Sequence, residues 1–192
     1  DTRVKVLLAG RLTRWKGQGL LIEAMALLKA RGENKILLLL VGDDQGRKSY
    51  RAELEAAVAA AGLEDAVKLV GHCDDMPAAY LLSDLAIAPS LEPEAFGRTA
   101  VEPQVMGRPV LASDHGATRE TVVPGETGWL VKPGDARAWA DALLHACEIG
   151  AAGRQTLGLT ARTRARRLYS VDAMCEATLK VYARVLGLER LA

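Results

Sequence analysis

Aromatic residues are scarce in this sequence. One Phe, three Trp and four Tyr among 192 residues leave few rings that could stack on nucleic-acid bases. The 25 Lys and Arg are balanced by 24 Asp and Glu, so the chain also lacks the basic excess that favours a polyanion. We therefore expect no nucleic-acid partner.

Cysteines and long apolar runs are equally few. Cys73, Cys147 and Cys175 lie far apart, with no C-x-x-C pair and no His at zinc-ligand spacing, which predicts free thiols in a reducing compartment. No apolar run reaches the roughly 18 residues of a membrane span, and the amino terminus has no apolar signal core. These features predict a cytoplasmic protein that is at most peripheral to the inner membrane.

The apolar residues that are present form six short continuous runs. Strands buried on both faces of a parallel sheet have this pattern, and the runs cover residues 4–9, 36–41, 67–70, 85–88, 109–112 and 129–131. Helix-like segments alternate with them, at residues 18–30, 51–61, 76–82, 99–106 and 118–122. The alternation predicts an α/β, Rossmann-like, doubly wound fold with a six-stranded parallel sheet.

Only helices are predicted after the sixth strand, at residues 135–149, 154–168 and 171–185. The last has Ser170 as its N-cap and an apolar stripe that must pack either on the core of this domain or on a second domain. Because the chain opens on Asp1 and a strand pattern begins by Val4, we expect one domain, residues 1–192, from a longer polypeptide.

The loop after the first predicted strand is basic and rich in glycine. It contains Arg11 and Lys16, and a helix begins directly after Gly17, so its amide groups and dipole favour an anion. It is not a Walker A loop, because Lys16 precedes Gly17 instead of following it. The loop is either a cradle for a diphosphate or a solvated turn.

The loop after the fourth predicted strand carries two glutamates with seven residues between them. Residues eight apart do not share a helix face, so we place Glu94 in the loop and Glu102 in the first helical turn. Both carboxylates would then face a ligand at the carboxyl ends of the strands. The alternative is structural, with Thr99 and Glu102 forming a capping box.

Acidic residues are not spaced for a divalent cation. Asp43 and Asp44 are adjacent, as are Asp74 and Asp75, and neither pair has Asp-x-Asp spacing. We expect no metal site and no cofactor. Arg11, Lys16 and backbone amides would neutralise a diphosphate leaving group.

The motifs occur together in a known order. Gly10-Arg11-Leu12 with Lys16-Gly17, Val41-Gly42, Gly71, Glu94-x7-Glu102 and Gly116 with Glu120 follow successive strands, and Gly125-Glu126-Thr127-Gly128 comes next. From about residue 4 to 185 the chain resembles the C-terminal, nucleotide-sugar-binding domain of glycosyltransferase family 4, whose members are retaining enzymes of the GT-B fold.

The resemblance implies a role for each candidate residue. Arg11 and Lys16 would contact the donor diphosphate, Glu102 the ribose hydroxyls and Glu94 the donor sugar, with Glu94, Lys16 and Arg11 as the catalytic group. The nucleobase would lie near Gly71 and His72. The backbone amides that would bind the donor are those of Phe96, Gly97, Arg98 and Thr99.

The implied activity is metal-independent, retaining transfer of a hexose from a nucleoside diphosphate sugar to a hydroxyl acceptor. The acceptor would be a glycan or lipid-linked glycan of cell-surface or lipopolysaccharide synthesis. In the family an N-terminal domain holds the acceptor, so this domain alone should bind donor and transfer nothing. The alternatives are a nucleotide-sugar epimerase and a non-catalytic nucleotide-binding module.

Two features remain open at this point. His115, in the loop after the fifth strand, is either exposed to solvent or placed to contact the donor sugar. Four arginines of the predicted helix 154–168 either form a solvated face or contact anionic lipid head groups, and they are Arg162, Arg164, Arg166 and Arg167.

Overall fold

A computed structural model of the chain describes residues 1–46 and 48–187. Its six strands form one sheet in the order β3-β2-β1-β4-β5-β6, and all neighbours are parallel. The strands are β1 Val4–Ala9, β2 Ile36–Val41, β3 Val67–Gly71, β4 Leu85–Ala88, β5 Val110–Ser113 and β6 Gly128–Val131. The predicted six-stranded parallel sheet is confirmed.

Eight α-helices surround the sheet in the described part of the chain. They are α1 Gln18–Ala30, α2 Lys48–Ala60, α3 Met76–Leu82, α4 Arg98–Val105, α5 Thr118–Thr121, α6 Ala136–Glu148, α7 Gly150–Tyr169 and α8 Val171–Val185. The side chains of Asp75, Asp135 and Ser170 cap α3, α6 and α8 by accepting from the amide three residues on. Most predicted bounds hold within two residues, but α7 begins four residues early.

Each central strand contributes to two hydrophobic cores, one on each face of the sheet. In β1, Val6 and Leu8 pack into the core beneath α1, α2 and α6, whereas Leu7 and Ala9 pack into the core beneath α3 and α4. Because both faces are buried, the strands have no polar alternation, and this explains the continuous apolar runs of the sequence.

Small residues line the second core where α4 crosses the sheet. Ala86 and Ala88 of β4, Ala112 of β5 and Ala100 of α4 are all buried there. Short side chains allow the helix to lie close to the sheet, so the amino end of α4 is held at the carboxyl edge of β4. This position sets the geometry of the candidate site.

The last helix, α8, is the least buried of the described elements. None of its residues is buried, and large apolar side chains are exposed on it, namely Val171, Met174, Leu179, Val181, Tyr182 and Val185. The interpretation that its apolar stripe packs on the core of this domain is therefore wrong. Within the described ranges, no helix has the length and apolar character needed to cross a bilayer.

Candidate functional site

The candidate site lies at the carboxyl edge of the sheet, between β1 and β4. The chain winds outward from β1 to β3 in one half of the sheet and from β4 to β6 in the other. The loops after β1 and β4 therefore diverge and leave a crevice at the switch point, where open α/β sheets bind ligands. These are residues 10–17 and 89–97, the two loops that carry the predicted site residues.

The two loops are in direct backbone contact. The amide of Leu91 donates to the carbonyl of Trp15 at 2.7 Å. Gly17 has φ +79°, and a Cβ on it would lie 2.2 Å from the carbonyl oxygen of Pro89. A side chain at residue 17 would force the loops apart. The glycine therefore fixes Lys16 relative to the loop that carries Glu94.

Lys16 and Glu94 form an ion pair inside the crevice. The distance from Lys16 Nζ to Glu94 Oε1 is 2.8 Å, and the side chains are only 11% and 15% exposed. The hydroxyl of Ser90 donates to the same carboxylate oxygen, and Lys16 Nζ lies 4.3 Å from the centroid of the Trp15 ring. Pairing offsets the desolvation of both charges. The sequence predicted both residues but not their contact.

Arg11 is an exposed cation of the same loop. Its guanidinium has no ion pair or hydrogen bond among the described residues, so it is available to a ligand. Its carbonyl accepts a 2.9 Å hydrogen bond from the side-chain amide of Gln18, which is fully buried. Gln18 was not identified from the sequence as a residue that holds the Arg11 backbone. A polar residue at the start of an apolar helix stripe is the signal that could have indicated it.

Arg14 belongs to the same loop but turns away from the crevice. Its guanidinium makes two hydrogen bonds to Glu53, at 2.6 and 2.9 Å, and lies 4.9 Å from the centroid of the Tyr50 ring. The hydrogen bond between the two side chains raises the pKa of Arg14 and lowers the pKa of Glu53. Arg14 is thus occupied, whereas Arg11 is not.

The amino end of α4 presents backbone donors to the crevice. Gly97 is its N-cap, in the left-handed conformation with φ 73°, and no side chain caps the helix. Arg98 and Thr99 are its first two residues, so their amides have no acceptor four residues earlier within the helix. The predicted capping box is wrong, because Thr99 lies inside the helix and Gly97 takes the cap position.

Glu102 lies on α4, in a second part of the candidate site. It is the fifth residue of the helix, so the prediction that it lies in the first turn is wrong by about one residue. Its carboxylate is 3.4 Å from the hydroxyl of Tyr80 and 3.5 Å from Nε of Arg98. Burial, reinforced by the nearby Glu102, raises the pKa of Tyr80. These residues line a cavity of about 400 Å³ that also borders Met76 and Met106.

Phe96 and Gly71 occupy the outer parts of this edge. Phe96 is 45% exposed, and its ring packs edge-on against Tyr169 with centroids 5.6 Å apart. Gly71 ends β3 two strands away from β1, and its carbonyl accepts from the amide of Gly42 at 2.7 Å. His72 follows it, exposed and paired with Asp74 at 2.8 Å.

The acidic pair near the site accepts hydrogen bonds from backbone amides of its own loop. Asp43 and Asp44 accept hydrogen bonds from the amides of Gln45 and Gly46. No group of three His, Cys, Asp or Glu that could hold a metal ion occurs within residues 1–46 and 48–187.

His115 lies in the loop after β5, next to the Glu94 loop. The amide of Ala117 donates to the carbonyl of Glu94 at 3.2 Å, and Gly116 packs against Pro93 and Glu94. The imidazole is partly buried, and both ring nitrogens are screened from solvent without a hydrogen-bond partner in the described structure. The interpretation of His115 as a solvent-exposed loop histidine is therefore wrong.

Comparison with known proteins gives concordant matches. The family model Glycosyl transferases group 1 matches residues 1–163. The chain is 34% identical over 164 residues to a D-inositol 3-phosphate glycosyltransferase of Pseudarthrobacter chlorophenolicus, covering 84% of this chain and 38% of that protein. It is 36% identical over 137 residues to the lipopolysaccharide core biosynthesis mannosyltransferase LpsB of Rhizobium meliloti, covering 69% of this chain and 38% of LpsB.

A solved structure also resembles the chain. Anabaena Alr3699/HepE in complex with UDP and glucose superposes with a TM-score of 0.86 at 30% identity. The match covers 95% of this chain and 49% of that one. The chain therefore spans less than half the length of each of these relatives.

Proposed function

The chain belongs to the glycosyl transferases group 1 family, and from this premise we propose that residues 1–192 are the donor-binding domain of a family 4 hexosyltransferase. The full enzyme would be retaining and metal-independent, and would move a hexose from a nucleoside diphosphate sugar to a hydroxyl acceptor. The observation that supports this most is the Lys16–Glu94 pair, which lies at the switch point beside the amino end of α4.

Two sources of positive charge would hold the donor diphosphate. Arg11 has a free guanidinium at the mouth of the crevice, and Lys16 lies deeper. The amides of Phe96, Gly97, Arg98 and Thr99 would add hydrogen bonds at a helix end that favours negative charge. Together these groups would stabilise the leaving diphosphate in place of a divalent cation.

The two glutamates would recognise different parts of the donor. Glu102 borders the cavity on the α3 side, where a ribose could donate its hydroxyls to the carboxylate, and the nucleobase would extend toward Gly71. Glu94 would face the sugar. When a diphosphate displaces Glu94 from Lys16, the freed carboxylate oxygen can accept from a sugar hydroxyl.

The acceptor side would come from a further, N-terminal domain of the same GT-B polypeptide. The exposed apolar face of α8 supports this, because a surface of this kind is normally covered by a partner. The relatives named above act in inositol phosphate and lipopolysaccharide glycosylation, so we infer a glycan or lipid-linked acceptor at the cytoplasmic side of a membrane. The isolated domain would bind donor without transferring sugar.

Neither alternative function is favoured. A nucleotide-sugar epimerase needs an acid or base at the sugar C2, and the sequence offers none for that position beyond Glu94 and His115. A non-catalytic nucleotide module needs no carboxylate on the sugar side. The curated relatives described above are named as transferases.

A thermal-shift panel tests the proposal. UDP, GDP, ADP and one hexose conjugate of each are added to the protein with Mg²⁺ or with EDTA. One nucleotide series should stabilise it, by about 2.7 kcal/mol at 100 times the dissociation constant, equally in both buffers. No stabilisation by any nucleotide would contradict donor binding, and a Mg²⁺ requirement would contradict metal independence.

Substitutions in the basic loop test the assigned cations. Arg11→Ala and Lys16→Ala should each weaken nucleoside diphosphate binding by about 1.5 to 3 kcal/mol, the range for charge-assisted hydrogen bonds. Arg14→Ala is the matched control, because Arg14 is exposed in the same loop but bound to Glu53. Calorimetry that gives all three variants wild-type affinity would exclude this diphosphate site.

A further inference from the structure

A second charged cavity lies at the opposite, amino edge of the sheet. It has a volume of about 330 Å³ and lies between α7 and the turn that leads into β5. Among the described residues that line it are Arg108, Arg154 and Arg162, against a single acidic residue, Asp84. We refer to it as the amino-edge cavity. Its charge is unusual for a chain whose total charge is nearly balanced.

Arg154 is a buried cation without a carboxylate partner. It is 8% exposed, and its Nη1 donates to the carbonyls of Ala146 and Cys147 at the end of α6. No ion pair involves Arg154 within residues 1–46 and 48–187, and its Nε and Nη2 make no hydrogen bond there. The remaining donors are not among the fully buried, unpartnered polar atoms of the described structure, so they are open to the cavity, where an anion can accept from them.

The other charges of the cavity do not neutralise Arg154. Arg108 donates through Nε and Nη2 to the carbonyls of Tyr80 and Leu81, at 3.2 and 2.6 Å. Asp84 accepts from the amide of Lys5 at 2.8 Å, and in the described structure it pairs with none of the three arginines. Arg162 is exposed and has no partner in the same residue ranges. The cavity therefore keeps an excess of positive charge.

The walls of the cavity are held in place by contacts within the chain. A Cβ on Gly158 of α7 would lie 2.0 Å from the carbonyl oxygen of Gly107, so helix and turn touch through their backbones. Arg108 and Arg154 are fixed by carbonyls at the ends of α3 and α6. A ligand would then meet guanidinium groups that are already ordered, which lowers the entropy cost of binding.

We propose that the amino-edge cavity binds a phosphate group. A phosphate carries up to two negative charges and accepts hydrogen bonds on several oxygens, which matches the free N–H donors of Arg154 and Arg162 with Arg108 nearby. The phosphate can belong to a soluble ion or to an acidic lipid head group. This site is separate from the crevice that holds Lys16 and Glu94, because it lies at the other edge of the sheet.

Calorimetric titration with inorganic phosphate tests the site with two substitutions that should change the phosphate affinity in opposite directions. Arg162→Ala removes a cation with no structural partner and should weaken phosphate binding about tenfold. Asp84→Asn keeps an oxygen acceptor for the amide of Lys5 but removes the negative charge, so affinity should rise several-fold. Arg166→Ala is the control, since Arg166 is exposed on the same helix and does not line the cavity.

Phosphate bound in the donor crevice must be distinguished from phosphate bound here. Arg11→Ala should leave the titration unchanged if the amino-edge cavity is the site. If Arg11→Ala abolishes the signal while Arg162→Ala and Asp84→Asn have no effect, the phosphate occupies the donor crevice and the proposal is wrong.

A vesicle-binding experiment shows whether the phosphate group belongs to a lipid or to a soluble ion. The protein is sedimented with phosphatidylcholine vesicles that contain or lack phosphatidic acid. Binding that requires phosphatidic acid and responds to Arg162→Ala and Asp84→Asn assigns the site to a lipid head group, whereas the same response in calorimetry alone assigns it to soluble phosphate. Absence of a response in both arms overturns the proposal.

Discussion

At the scale of single residues, Lys16 and Glu94 are each other's charge partners in the structure. Glu94→Gln should leave Lys16 without its counter-charge in a mostly buried position, so the melting temperature should fall. The uncompensated Lys16 should bind a bare nucleoside diphosphate at least as well as before. Affinity for the matching nucleotide-sugar should drop about tenfold, because the group assigned to the sugar is altered.

Calorimetry with both ligands checks this prediction. UDP and UDP-glucose, or the pair selected by the thermal-shift panel, are titrated into wild type and variant. Equal losses for diphosphate and nucleotide-sugar would show that Glu94 does not discriminate the sugar.

A substitution of Glu102 gives a second test at this scale, and a helix-capping role no longer competes with the ligand-binding role. Because Gly97 caps α4, Glu102→Gln removes no cap, and the new amide oxygen can still accept from the Tyr80 hydroxyl. The melting temperature should barely move, whereas nucleoside diphosphate affinity should fall by about 1 to 3 kcal/mol. Unchanged affinity together with a lower melting temperature would make Glu102 a structural residue.

The identities of these residues were predictable, but their contacts were not. Glu94 and Lys16 stand out because each follows a buried strand and lies near glycine. Their pairing depends on how two loops 70 or more residues apart dock, and local sequence carries no such information. The N-cap of α4 is Gly97 and not Thr99, and Gly97 has the left-handed φ of 73° that glycine adopts readily because it has no Cβ.

At the scale of elements, the docking of the two crevice loops rests on Gly17. Gly17→Ala places a methyl group 2.2 Å from the carbonyl oxygen of Pro89 and puts alanine at φ +79°, so both sterics and backbone strain oppose it. We expect a loss of more than about 1 kcal/mol in stability and weaker diphosphate binding. Gly19→Ala is the control, because nothing lies within 4 Å of a Cβ at that position. Similar denaturation midpoints for the two variants would contradict this role.

The strands were predicted well because they are buried on both faces. Their apolar runs are short and continuous and are therefore not mistaken for helices, and flanking glycines mark where the strands end. Helix starts were less predictable, since α7 begins at Gly150, a residue with low helix propensity that follows α6 almost directly. Arg154 in the early part of α7 donates to the carbonyls of Ala146 and Cys147 at the end of α6, and contacts of this kind between two elements are not visible in a local window.

At the scale of the whole molecule, the two proposed ligand sites lie at opposite edges of the sheet. The crevice between β1 and β4 lies at the carboxyl edge, the amino-edge cavity lies about one strand length away, and α8 offers an apolar face outside both. The proposed donor site, the proposed anion site and the proposed partner surface are therefore distinct. Substitutions in one should leave the other two unaffected.

The exposed face of α8 gives the last prediction. Met174→Lys combined with Val181→Lys should change the free energy of unfolding of the 192-residue chain by less than about 0.5 kcal/mol, because both side chains are roughly 60% exposed. Leu38→Ala, in the fully buried centre of β2, should cost about 2 to 5 kcal/mol and serves as the reference. In a full-length enzyme the same double substitution would place two charges in the proposed domain interface, and should lower both the melting temperature and sugar transfer. Lys180→Ala, which removes only a surface pair with Glu176, is the control in both proteins. A large loss in the 192-residue chain would place the apolar face of α8 within this domain, whereas an unaffected full-length enzyme would show that no second domain covers it.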